Sequence, residues 1–240
     1  MSMRTRFRLL SVSLVVGGAA YLLGVRPRIA RWGATDEEVV ARLPGDEIVP
    51  EPDLETTRAV TIRAPAERVF PWLAQLGQGR GGFYSYDRLE NAPVLHLDIH
   101  SADRILPEHQ DLRPGDRIPI APEPPFYGYI VEEARPPTTL VLRTRMDPFS
   151  GLQVDSASRA ASRVIDSTWA FALRPAGAGA TRLIARNRMA IRVPPGLGLP
   201  YRLGLEVVYF AMERKMLLGV QDRAGGTDAP APGGLAPDAA

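Results

Sequence analysis

The longest periodic pattern in the chain lies near its end. From Leu199 to Ala224, Tyr201, Leu205, Val208, Met212 and Met216 recur at three- and four-residue spacing, and Leu203, Val207, Phe210 and Leu217 widen the stripe. Such spacing predicts one long helix with a broad apolar face. Glu213, Arg214, Lys215, Asp222 and Arg223 fall on its expected polar side. Upstream the period changes to two. Strand patterns occur at Arg58–Arg63, Ser101–Ile105, Arg117–Ile120, Tyr127–Ala134, Thr139–Arg145, Ser167–Arg174 and Arg182–Arg192, separated by proline- and glycine-rich turns. Two shorter helices are predicted, over Pro65–Leu76 and Ser85–Asn91, the first shortened or kinked by Pro71. Asp147–Ser162 reads as a long loop, and the alanine, proline and glycine of residues 225–240 as a disordered tail.

The N-terminus has a different character. Leu9–Val25 is seventeen residues without a charge, flanked by arginines on both sides. That is at the lower end of what a helix needs to cross a bilayer. It reads as an uncleaved single-pass anchor, with a cleaved signal peptide as the rival. The apolar run continues past Gly18-Ala19-Ala20 to Leu23, where a cleavage site would normally end it. Residues 29–56 read as a linker. Trp32 is placed to anchor the segment end at the interface, Thr35 to cap a short helix, and Pro44, Pro50 and Pro52 to keep the chain extended. The expected organisation is a basic flank and anchor over 1–28, a linker over 29–56, one domain over 57–224 and the tail.

Charge changes the picture once. The formal net charge is +2, but six arginines sit in the first 31 residues, which contain no acid. Removing those six from 29 basic residues leaves 23 against 27 acidic ones. The basicity belongs to the terminus and not to a binding face, so nucleic acid is not an expected partner. There are no cysteines, which excludes disulfides, thiolate metal sites and cysteine nucleophiles.

The order strand, helix, helix, antiparallel strands, long helix calls for a curved sheet wrapped around the last helix, an α+β arrangement. With Val60-Thr-Ile-Arg-Ala-Pro-Ala-Glu-Arg-Val-Phe-Pro-Trp72 near its start, the chain resembles the START-like or Bet v 1-like superfamily, also called SRPBCC. Tyr84-Ser-Tyr-Asp-Arg-Leu-Glu-Asn91, His100-Ser-Ala-Asp-Arg-Ile105 and Gln110–Asp116 are similar to a bacterial branch of it with no activity assigned to that branch. The resemblance spans about Thr57 to Arg223. It implies a helix-grip fold with a cavity between sheet and last helix, holding an apolar small molecule or lipid. In such a fold Tyr201, Leu205, Val208, Met212 and Met216 would line the cavity, together with Trp169. Tyr84, Tyr86 and Asn91 would sit at its mouth. The superfamily includes carriers, receptors and polyketide cyclases, so the fold does not fix the function.

Other motifs carry less. Gly77-Gln-Gly-Arg-Gly-Gly82 matches a dinucleotide fingerprint literally but follows a helix instead of a strand, and reads as a tight turn. His96, Asp98 and His100, with Asp103 and His109 nearby, have no usual zinc spacing and read as histidines at a sheet edge. No metal and no cofactor are expected. Asp87, Arg88, Asp103 and Arg104 read as ion pairs clamping the second helix to the sheet. Glu90, Asp103, Glu108, Glu132 and Glu206 are candidate proton-transfer groups, and there is no G-x-S-x-G. Two functions stay open: a membrane-anchored binding or carrier protein for a lipid or other apolar molecule, and a polyketide cyclase or dehydratase-like enzyme. A wholly apolar cavity favours the first. A cavity in which an acid and a tyrosine converge favours the second.

Overall fold

The computed structural model describes residues 21–93, 97–154, 163–194 and 198–226, with the side chains of 199–203 and 205 left aside. A π-helical turn at Tyr21–Val25 runs into α1 (Arg26–Ala30), followed by α2 (Asp36–Val40), β1 (Leu54–Ile62), α3 (Ala66–Ala74) and α4 (Asp87–Glu90). Five strands come next: β2 (Arg117–Pro119), β3 (Gly128–Arg135), β4 (Thr139–Met146), β5 (Val164–Pro175) and β6 (Thr181–Arg192). The chain then forms α5 (Gly198–Gly225). All strands pair antiparallel in one sheet of order β1-β6-β5-β4-β3-β2. This α+β layout, with a long C-terminal helix on a six-stranded sheet, fits the helix-grip fold.

Of the seven strand patterns, six form strands, and Ser101–Ile105 does not. Side chains take up its backbone instead of a neighbouring strand. Asp87 Oδ2 accepts from Ser101 N at 2.8 Å, while Gln75 accepts from Leu106 N at 2.8 Å and donates to Arg104 O at 3.1 Å. With these groups satisfied locally, a ladder adds nothing. Pro71 does not break α3, which runs continuously through it for nine residues.

The main core lies between the inner face of the sheet and the two longer helices. Val60, Ile62, Phe171, Leu173 and Leu183 from the sheet meet Val69, Phe70 and Leu73 of α3 and Leu217, Val220 and Ala224 of α5. The outer face is covered too, by the stretch expected to be a free spacer. Leu43 packs on Ala59, Ala172 and Ile184 across β1, β5 and β6. Thr35 and Glu38 form a reciprocal cap on α2, and Glu38 also accepts from Arg182 Nε at 2.7 Å. The buried Arg186 donates to the carbonyls of Glu38, Val39 and Ala41, to Asp46 and to Thr57. Residues 32–50 are therefore a strap over the sheet and not a linker beside it. Trp32 likewise packs against the core, with the Arg214 guanidinium 5.0 Å from its ring centre.

Most of the expected anchor, Leu9–Val25, lies outside the described residues. Among the described residues no helix is long and apolar enough to cross a membrane. The tail beyond Gly226 and most of the predicted 147–162 loop also lie outside them.

Candidate functional site

The two longest strands, β5 and β6, meet the middle of α5 at a charged group. Trp169 of β5 and Asn187 of β6 are direct cross-strand partners, so their side chains stand next to each other on the inner face. Both donate to one oxygen of Glu213, Trp169 Nε1 at 2.6 Å and Asn187 Nδ2 at 2.9 Å. The other Glu213 oxygen takes Arg58 Nη1, from β1. Arg58 and Glu213 are 1% and 3% exposed. Arg58 Nε reaches the Ile29 carbonyl at 2.8 Å, and its guanidinium lies 5.4 Å from the Phe210 ring centre. The expectation that Glu213 faces solvent is corrected here: its charge is neutralised by Arg58 inside the fold, which makes burial tolerable.

Beside this pair is a cavity of about 180 Å³ between the sheet, α5 and the segment after α3. Its sheet side is Ile120, Tyr127, Tyr129, Trp169 and Asn187, and its helix side is Val208, Tyr209, Met212, Glu213 and Met216. Phe83, Ser85, Glu90, Leu97 and Ile99 close the remaining wall. Tyr129 and Trp169 stack tilted at 5.6 Å, and Trp169 continues to Phe171 at 4.8 Å. Val208 is 59% exposed and marks the side where the cavity meets solvent. A cavity of about 150 Å³ is enough to hold a benzene ring, so the described walls have room for one ring or a short branched chain.

Two side chains that line the cavity each carry a buried oxygen with no hydrogen-bond partner among the described residues. Glu90 Oε2 and Asn187 Oδ1 are both unpaired, on side chains 3% exposed. Burial raises the Glu90 carboxyl to about 7, with the neighbouring Asp87 charge adding to the shift. Burial also holds the Tyr129 phenol well above its usual range, helped by the nearby charges or potential charges of Tyr209, Tyr127 and Glu213 and by a hydrogen bond with Tyr209. Tyr127 is raised by burial alone. Glu90 is thus poised near neutrality while the tyrosines stay protonated.

Of the residues singled out from sequence, Trp169, Val208, Met212 and Met216 line the cavity. The side chains of Tyr201 and Leu205 lie outside the described set. Tyr84, Tyr86 and Asn91 are not among the lining residues, and each has another task. Tyr84 is buried with its backbone at φ 54°, donates from its hydroxyl to the Trp72 carbonyl at 3.1 Å and meets the Trp72 ring edge-on at 5.8 Å. Asn91 bridges both backbone groups of Ile99, at 2.6 and 2.7 Å. Tyr86 is exposed on an outer groove shared with Lys215 and Arg223. Asp87 is held by Ser101 Oγ at 2.7 Å as well as by its amide, so the clamp on α4 is hydrogen-bonded instead of ionic.

The glycine stretch is a closed turn. Gly77 and Gly82 exchange both backbone hydrogen bonds at 3.0 Å, and Arg80 ties the loop to the Leu76 and Ala74 carbonyls. A Cβ on Gly82 would stand 2.8 Å from the His100 carbonyl, which only glycine avoids. His100 lies on the surface, 3.1 Å from Asp98, and His96 is outside the described residues. Among the described residues no group of three or more histidines and acids is placed to hold a metal.

No protein-family model and no curated protein matches the sequence. Among solved structures, the chain is similar to a hypothetical protein of Helicobacter pylori at 12% identity, covering 77% of this chain and 96% of that one, with a TM-score of 0.40. It is similar to a protein of Nitrosomonas europaea at 12% identity over 71% and 93%, with a TM-score of 0.39. It is also similar to an aromatase/cyclase of Streptomyces sp. R1128, at 16% identity over 71% and 93%, with a TM-score of 0.33. At these scores the likenesses assign no ligand and no reaction, and the sheet, the helix and the cavity carry the reading that follows.

Proposed function

We propose that this protein binds one small, largely apolar molecule with a hydrogen-bonding end, held between the sheet and α5. The observation that carries this is the cavity of about 180 Å³, aromatic and aliphatic on its walls, whose lining includes Glu90 and Asn187, each with a buried oxygen unpaired among the described residues. Buried polar groups without partners are costly, and a ligand supplying donors would satisfy them. Pockets of this composition, mostly apolar with a few placed polar groups, are the usual form of small-molecule sites. A membrane tether through Leu9–Val25 belongs to the same proposal, since it would hold the cavity beside a source of apolar ligands. Its support is the charge-free run in the sequence and the outward-facing Leu22 and Leu23 where that run ends. Membrane fractionation with an alkaline wash tests the tether independently of the ligand.

The enzyme reading, cyclase- or dehydratase-like, is favoured by one specific observation. Glu90 lines the same cavity as Tyr127 and Tyr129 and has a pKa of about 7, the value that suits a general acid or base near neutral pH. The first test is mass spectrometry of small molecules released from the purified full chain. A stoichiometric apolar compound supports binding. An empty, folded protein that no small apolar compound stabilises against heat would overturn it.

A further inference from the structure

We infer that the cavity selects a small organic cation: an amine carried on a single ring or a short apolar chain. This rests on the cavity-binding reading above and names the ligand class. Three observations lead to it. The first is charge. The cavity is lined by two carboxylates, and no lysine or arginine lines it among the described residues. Glu213 is already matched by Arg58, whose guanidinium is turned to Glu213, the Ile29 carbonyl and the Phe210 ring. Glu90 has no such counter-ion among the described ion pairs, and its charged neighbour is another acid, Asp87. One positive charge is what the site lacks.

The second is hydrogen-bonding direction. With the Glu90 carboxyl ionised, Glu90 Oε2 and Asn187 Oδ1, each on a side chain 3% exposed, are both acceptors. No lining residue leaves a buried donor unpaired among the described residues. An ammonium group offers only donors, so it can satisfy an unpaired acceptor where a carboxylate cannot.

The third is the wall. Tyr127, Tyr129 and Trp169 stand around the same volume. Aromatic faces attract a cation near their centre, and the attraction grows when the site is sheltered from water. Here aromatic rings and carboxylates are combined in one small space, the arrangement that recognises an alkylammonium.

The test is a matched set of ring-sized probes on the full chain: benzylamine, benzyl alcohol and benzoate, compared by calorimetry at a pH above the Glu90 titration. Benzylamine is expected to bind at least about tenfold more tightly than benzyl alcohol, with benzoate the weakest of the three. Glu90→Gln should bring benzylamine down toward the level of benzyl alcohol. If benzyl alcohol or benzoate binds as well as benzylamine, the cation assignment is overturned and the binding reading stands. If none of the three binds or raises the melting temperature, the cation assignment falls, and the mass spectrometry of released molecules decides the binding reading. The wild-type comparison decides the matter even if Glu90→Gln does not fold.

Discussion

The two halves of α5 face one sheet and meet it differently. Toward the C-terminus, Leu217, Val220 and Ala224 pack in the main core with residues of α3 and the sheet. Toward the middle, Glu213 and Glu206 are buried acids, Val207 and Val208 face outward, and a cavity opens beside them. Glu206 is itself matched, by Arg26 Nε at 2.8 and 2.9 Å. The packed half supplies stability of the ordinary kind. The other half gives up close packing and holds charges in place around an opening. A helix that only closed a core would have no reason for the second arrangement.

That contrast can be broken most severely at the ion pair. Arg58→Met leaves Glu213 charged and unmatched, and should cost about 3–5 kcal/mol in chemical denaturation. Adding Glu213→Gln in the same chain should recover much of the loss, because no unpaired charge then remains. Next in size is a truncation in the packed half. Leu217→Ala should cost about 2–5 kcal/mol, whereas Met212→Ala, which already borders open space, should fall at the bottom of that range or below it. Equal losses at the two positions would erase the distinction drawn here.

Glu90 gives a pH signature of the open half. Its carboxyl ionises near 4.5 in a solvated chain and at about 7 in the fold. The folded state therefore holds the extra proton between those values, and this contribution to stability falls as pH rises through them. That contribution is present below about pH 4.5 and is lost as pH rises through about 7. Glu90→Gln should flatten the decline and be the more stable form at alkaline pH. The smallest effect on stability is expected from Val208→Trp, within about 0.5 kcal/mol for an exposed position. Its effect on uptake should be large, since Val208 stands where the cavity meets solvent. A filled mouth with unchanged ligand binding would move the entrance elsewhere.

Much of this fold is legible in the chain, because alternation and helical spacing report which faces are buried. The charged core is legible too, once the phase is read without regard to charge. Arg58 is in step with Val60 and Ile62, and Glu213 with Leu217 and Val220, so each carries an opposite charge on an apolar face. Two such residues of opposite sign predict one another. The site's other polar members are harder to see. Glu90 sits in a four-residue helix too short for periodicity to show a face, and Asn187 lies in a strand buried on both sides, where alternation fades. The role of Asn91 depends on a loop meeting it eight residues later, which no local pattern encodes.

The strap over the outer face also sets where this protein can be cut. A chain shortened to begin at Thr57 would match the strand-and-helix pattern, yet would lose the carbonyls that hold Arg186 and Arg58 and uncover Ala59, Ala172 and Ile184. The unit that folds as a whole therefore starts about thirty residues before its first strand, near Arg26. Any transplant or trimmed version of the domain should carry that leading stretch with it.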